Sequence, residues 1–180
     1  RRHTGPGPPV AAPGRTTRPA VNRALALVPL AVLLALGALF GLYALGRDPQ
    51  VQPQAMVGRQ VPNLELPTLT DGQPASLRAL ASEGPVLVNF FASWCAPCEI
   101  EHPELMALKA QRVRLVGIAY KDAAPNSAAF LARLGDPYGQ VLVDRDGRAG
   151  VEFGVTGVPE TFLVGQDGII AAKHTGPLTR

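Results

Sequence analysis

The sequence predicts an α/β layered domain carried behind an N-terminal membrane-spanning helix. Three observations lead there. Residues 24–46, "ALALVPLAVLLALGALFGLYALG", run 23 residues without a charge, bracketed by Arg23 and Arg47. From Val61 onward, short apolar runs alternate with helix-length amphipathic segments. The pattern then closes on "ETFLVGQDGIIAAKH" (160–174), two strand-like runs around a Gln-Asp-Gly turn. Strands alternating with helices and ending in a hairpin bury a sheet between helical layers.

The chain has 180 residues, 47% of them apolar and 17% charged, enough for one domain with extensions and a buried core. The formal charge of +3 averages two unlike parts. Residues 1–47 hold six arginines and no Asp, Glu or Lys, which leaves 11 basic residues against all 14 acids in 48–180. The bulk of the protein is therefore mildly acidic, with no basic patch interleaved with aromatics, and nucleic acid is not an expected partner.

Residues 1–23 open with five prolines and three glycines and no apolar periodicity, which predicts a disordered arm. The 24–46 run is too long for the apolar part of a cleavable signal peptide, and it lacks the polar face of a buried globular helix. At about 1.5 Å per residue it matches a bilayer core roughly 30 Å thick. Five arginines precede it and one follows, so the arm stays cytoplasmic and the rest of the chain crosses to the far side, the periplasm of a bacterium. Residues 47–60 read as a polar tether, and 61–180 as the folded domain.

Within that domain "VPNLELPTL" (61–69) alternates as a short strand, and "TDGQPAS" supplies turn residues. "SLRALASEG" reads as a helix capped by Ser76 and stopped by Gly84. "PVLVNFFA" (85–92) has the continuous apolar character of a strand buried on both faces. A helix follows over 95–110, then a second buried strand over 112–120. Residues 124–135 predict a helix capped by Asn126 or Ser127 and stopped by Gly135. A strand at 140–144 and a short helix at 148–155 precede the hairpin.

The only two cysteines, Cys95 and Cys98, lie between a buried strand and a helix in "FFASWCAPCEIEHPEL". Thiol–disulfide exchange needs a nucleophilic thiolate and a second thiol close enough to release the mixed disulfide. A C-x-x-C at a helix start supplies both, because unpaired N–H groups and the helix dipole stabilise the Cys95 thiolate. Pro97 suits the first helical turn, and Trp94 offers a flat apolar lid. Zinc would need two further ligands, and His3, His102 and His174 are poorly placed to supply them. A purely structural staple across so short a loop would stabilise little through chain entropy.

These residues resemble the thioredoxin superfamily: "VNFFASWCAPC" is similar to its strand–WCxPC–helix, with Pro103 at the kinking position. "GVTGVPETFLV" (154–164) resembles the loop that carries a cis-proline, with Val158–Pro159 as the matching bond. More closely, "WCAPCEIEHPEL" with "GVTGVPETFLV" and "HTGPL" resembles the membrane-anchored DsbE/CcmG family over roughly residues 56–178. The resemblance implies a thioredoxin-like fold, a central mixed sheet flanked by helices. It implies a thiol:disulfide interchange protein that acts as a dithiol reductant in cytochrome c maturation. Its expected client is apocytochrome c or a maturation factor, and a membrane thiol-reducing electron carrier re-reduces it. No metal or other cofactor is expected beyond the Cys95–Cys98 dithiol. The family's cis-proline falls on Pro159 and its characteristic acids on Glu101 and Glu160. The family also continues into a further helix after "GPL", which implies a truncated C-terminal helix here.

Asn89 stands six residues before the first cysteine, where thioredoxins usually bury an Asp. Glu160 follows Pro159 where they usually have Thr. We therefore expect the acid function to have moved to Glu101 or Glu160, where a carboxylate would raise the thiol pKa values and strengthen the dithiol as a donor. The competing reading leaves Glu101 as a solvated helix residue and Glu160 as the opening of a strand. Alternatives in function are a TlpA/ResA-type reductase, a general disulfide oxidoreductase, or an apocytochrome-binding chaperone that does no exchange. A peroxiredoxin-type peroxidase would want a P-x-x-x-[TS]-x-x-C setting, which is absent.

Overall fold

The computed structural model describes residues 23–45 and 56–179, which form two units divided near Asp48. The first is a single helix, α1 (Arg23–Leu45), with Pro29 inside it and no acidic residue in its first turn. Its side chains are described over 27–42, and among the described residues no helix is long and apolar enough to cross a membrane. The arm predicted over 1–23, and 47–55 of the predicted tether, fall outside the described residues except for Arg23.

The second unit is built on a five-stranded sheet. Its strands are β3 (Val86–Phe91), β4 (Leu115–Tyr120), β5 (Gln140–Asp144), β6 (Glu160–Val164) and β7 (Ile170–Thr175). They stand in the order β5-β4-β3-β6-β7. β3 pairs with β4 and β4 with β5 in parallel, whereas β6 runs antiparallel to both β3 and β7. The expected central mixed sheet is present. A separate ribbon pairs β1 (Glu65–Pro67) with β2 (Pro74–Ser76). The sequence reading assigned β2 to a turn; the turn is confined to its tip, where Asp71 accepts from the Thr68 hydroxyl and, at 3.1 Å, from the Gln73 N–H.

Side chains alternate across β3, so each face of the sheet gathers its own core. One face takes Val86, Val88 and Phe90 and is covered by α2 (Leu77–Ser82) and α5 (Arg148–Glu152), through Leu77, Ala81 and Ala149, with Phe153 just beyond α5. The other takes Phe91 and is covered by α3 (Ala96–Ala110) and α4 (Ala124–Leu134), through Leu105, Phe130 and Leu131. β3 is central and buried on both sides, as its apolar run predicts, and its one polar residue, Asn89, is fully buried.

Local details depart from the sequence reading where a tertiary partner takes over. Ser76 occupies the N-cap of α2 but its side chain makes no capping bond. α4 begins with Ala123 at its N-cap and Pro125 in its first turn, so neither Asn126 nor Ser127 is the cap. Ser127 instead donates to Asp122, which lies ahead of the helix. Gly135 does stop α4, at φ +92, a conformation that disfavours side chains. β4 starts at Leu115 because the chain leaves α3 through Arg112 at φ +63. α5 is three residues shorter at its C-terminus than expected, ending at Glu152.

Phe90 is fully buried with its ring centroid 5.2 Å from that of Phe153 and 5.7 Å from that of Phe162. Phe90→Ala is expected to cost about 3–5 kcal/mol, read as a lowered denaturation midpoint in urea; a loss below about 1 kcal/mol would contradict this account of the core.

Candidate redox site

β3 ends at Phe91, and four residues later Cys95 caps α3 from an extended conformation (φ −94, ψ 102). The Cys98 N–H donates to Cys95 Sγ at 3.2 Å. Pro97 lies in the first turn, where its missing N–H costs no helix bond. The fifteen-residue helix thus directs its positive end at the Cys95 sulfur. Cys95 and Cys98 are joined as a disulfide with Cα atoms 5.3 Å apart. Both residues are nearly buried, at 4% and 2% exposure, in the cluster built from Phe91, Leu105 and Phe130, with Val158 and Leu178 packed against it.

The Val158–Pro159 bond is cis, and the Val158 carbonyl oxygen lies 3.5 Å from Cys95 Sγ. Pro159 is buried. Trp94, the expected lid, is 60% exposed, with its indole N–H donating to the Lys121 carbonyl at 3.3 Å.

The strand-to-helix loop is fastened by a residue that the sequence reading missed. Asp122, at the end of β4, is buried and accepts from the Ser93 N–H (2.8 Å), the Ser93 hydroxyl (3.0 Å), the Ala123 N–H (2.9 Å) and the Ser127 hydroxyl (2.7 Å). Burial acts to raise its pKa, but these bonds outweigh burial and hold the carboxyl below its ordinary value. In the sequence Asp122 is one acid in a polar turn, and nothing marks it as the loop's fastening.

The two acids singled out by sequence are both fully buried, on opposite faces of the sheet. Asn89 pairs with Thr161 across β3 and β6, and Phe90 with Glu160. Glu101 reaches the Asn89 face from α3: its Oε1 accepts from Asn89 Nδ2 at 2.9 Å and its Oε2 from the Leu178 N–H at 3.0 Å. Burial pushes its pKa up, and these two donors and His174 restrain the rise without cancelling it. Glu160 faces the other way. Its Oε1 accepts from the Thr156 N–H (3.1 Å) and hydroxyl (2.6 Å), and its Oε2 lies 2.9 Å from Lys173 Nζ. That last contact is a buried ion pair. Lys173, with its side chain 1% exposed, also donates to the Gly154 carbonyl at 3.0 Å. The sequence reading missed this lysine because a lysine in an alternating edge strand reads as solvated.

His102 points away from the sulfurs, its Nε2 2.9 Å from the Gly135 carbonyl oxygen. Among the described residues, no group of three or more His, Cys, Asp or Glu is placed to share a metal ion.

Removing the Asp122 carboxylate leaves buried donors without an acceptor, so Asp122→Ala is expected to destabilise the domain by on the order of 3 kcal/mol. Because its folded pKa is depressed, its contribution is full above the unfolded value and is lost as pH falls through the folded one. Denaturant titrations from pH 7 to pH 2 therefore have a flatter acid limb for Asp122→Asn than for the unaltered protein. An identical acid limb in the two would refute this assignment.

The Redoxin family matches residues 56–180. The thiol:disulfide interchange protein DsbE of Allochromatium vinosum is 43% identical over 154 residues, covering 85% of this chain and 84% of that protein. DsbE of Escherichia coli K12 is 40% identical over 164 residues, with 88% of each chain covered. Among solved structures, a thioredoxin-family thiol:disulfide interchange protein from Chlorobium tepidum aligns with a TM-score of 0.54 at 31% identity, covering 67% of this chain and 87% of its own. With the cysteine pair, the cis-proline loop and the mixed sheet all inside the matched region, this chain belongs to the DsbE family of thiol:disulfide interchange proteins, on a thioredoxin-like fold.

Proposed function

We propose that this thiol:disulfide oxidoreductase is a membrane-anchored reductant facing the periplasm, and that it keeps the haem-attachment cysteines of apocytochrome c reduced during cytochrome c maturation. The observation that carries the reading is the juxtaposition on one sheet face of the Cys95–Cys98 pair at a helix N-terminus and a buried carboxylate, Glu101, three residues beyond Cys98.

In the reduced pair the Cys95 thiolate attacks one sulfur of a client disulfide. A mixed disulfide forms and a client thiolate leaves. Cys98 then loses its proton and attacks Cys95 Sγ, which closes the Cys95–Cys98 disulfide and releases the second client thiolate. Two electrons pass to the client, and a membrane thiol-reducing carrier returns them. Glu101 is the group we assign to hold the Cys98 proton, because its raised pKa brings it toward neutrality, where proton exchange with a thiol is efficient. Glu160, neutralised by Lys173 on the opposite face, instead holds the loop before Pro159. Trp94 and Pro97 shape the surface around Cys95.

The anchor is α1. Leu33, Phe40 and Leu42 are each at least 70% exposed, and an apolar helix surface of that kind calls for lipid around it. The helix has 23 residues, about 34 Å at 1.5 Å each, and the arginine excess before it orients the arm to the cytoplasm. The full chain is expected to sediment with membranes and to be released by detergent, whereas a chain lacking 24–46 stays in the supernatant. Equal partition of the two would refute the anchor.

The central test is Cys98→Ser in the native host, which strands clients on Cys95. Apocytochrome c or its maturation factors, released by reductant, are the expected capture. A broad set of secreted proteins would point instead to a general oxidoreductase, and retained function in Cys95→Ala to a chaperone without exchange. Glu101→Gln is expected to slow closure of the Cys95–Cys98 disulfide on a peptide mixed disulfide by about 100-fold at pH 7, measured by stopped flow. An unchanged rate and pH profile would remove Glu101 from proton transfer.

A further inference from the structure

The polar node beneath the cysteines has a fourth member with no part in the reading above. Tyr138 lies in the loop between α4 and β5, 5% exposed, and its hydroxyl donates to Asn89 Oδ1 at 2.6 Å. Asn89 Nδ2 donates to Glu101 Oε1 at 2.9 Å and to Thr161 Oγ1 at 3.0 Å. The Leu178 N–H holds Glu101 Oε2. The tyrosine is tightly seated. Its ring stacks on Phe91 at 5.1 Å and its N–H donates to Asp136 Oδ1. Gly117 beneath it leaves no room for a side chain, since a Cβ there would meet the Tyr138 ring at 2.8 Å.

Donor and acceptor logic orients this chain of bonds. An ionised carboxylate only accepts, so the amide of Asn89 must turn its NH₂ toward Glu101. The Asn89 carbonyl oxygen then points the other way, and in a dry interior it needs a donor of its own. Tyr138 supplies it. Burial, then the charges of Glu101 and Asp136, push the Tyr138 hydroxyl well above its ordinary pKa, so it remains a donor. A protonated Glu101 has the opposite need. Its new O–H faces two donors, Asn89 Nδ2 and the Leu178 N–H, and would find an acceptor in Asn89 only if that amide turned over.

We propose that Tyr138 is a positioning residue for the redox reaction: its hydroxyl locks the Asn89 amide with the NH₂ toward Glu101, so that a proton on Glu101 finds no acceptor in Asn89 and passes readily to the sulfurs. The proposal rests on the reading of Glu101 as the proton carrier. The groups facing Glu101 are Asn89 of β3, the Leu178 N–H and His174 of β7, whose charge favours the carboxylate, with Tyr138 and Thr161 one bond removed and Cys98 three residues before it on α3.

The test is the titration of the Glu101 carboxyl in the oxidised full chain, followed by carbon-13 NMR in detergent micelles. In Tyr138→Phe the amide is free to turn and to accept the Glu101 proton. The midpoint is expected to rise by about one unit, roughly a tenfold gain in proton affinity. In an Asn89→Ala background the same substitution should move it no further, because the path runs through Asn89. An unchanged midpoint in Tyr138→Phe overturns the proposal, even if thermal stability falls, and so does a shift that persists without Asn89. Should Tyr138→Phe not fold, 3-fluorotyrosine placed at 138 keeps the ring and makes the hydroxyl a stronger donor. A downward shift of the Glu101 midpoint then supports the lock, and no shift overturns it. These titrations do not depend on turnover, so a Glu101→Gln protein with unimpaired exchange would refute the proton-carrier role while leaving the lock itself to be judged by NMR.

Discussion

A carboxylate buried on an apolar sheet face must either be hydrogen-bonded or hold its proton, and Glu101 sits between these two states. Burial favours the proton, while Asn89 and the Leu178 N–H favour the charge. Much of the domain's construction serves this balance. β3 carries a single polar residue in an otherwise apolar run, α3 brings Glu101 down onto it from Cys98, and the segment after β7 returns to place one backbone N–H on the second oxygen. Asn89 at this strand position donates to Glu101 without adding a second charge. Two carboxylates side by side would repel, whereas an amide can donate to one.

The other buried charges solve separate problems. Asp122 ties the loop ahead of Trp94 and Cys95 to the end of β4, and hydrogen bonds stabilise its negative charge. Glu160 is neutralised by a buried lysine, and together the two fasten the chain at Gly154 and Thr156, just before the cis-proline. Cys95 is therefore framed by two independently fastened loops. A buried pair like Glu160–Lys173 contributes little net stability, but losing one partner would strand the other charge in the core. This favours a role in holding geometry over one in proton transfer.

Legibility in the sequence followed the range of the interactions. The β3–α3 junction, the Cys95–Cys98 pair and the Gly135 stop depend on near neighbours and were readable from spacing and from residue type. The cap of α4 was misread because Asp122 recruits Ser127 for a task that also involves Ser93, 34 residues before it in the chain. β2 is not legible as a strand in the sequence, because three residues of strand in a Pro-containing stretch carry no period. Tyr138 and Lys173 were invisible as site residues, since each acts through a partner on a distant strand.

The layered α/β class and the dithiol chemistry are legible in the sequence because apolar periodicity and a C-x-x-C at a helix start are local signals, while the two carboxylates worth comparing come from the resemblance to the DsbE/CcmG family. Which carboxylate shares a face with the sulfurs was decided only by tertiary structure. That choice depends on the β3–β6 register, in which Asn89 meets Thr161 and Phe90 meets Glu160. Side chains alternate across a sheet, so a shift of one residue in that pairing would have turned Glu160 to the Asn89 face, whereas Glu101 is held on that face by α3.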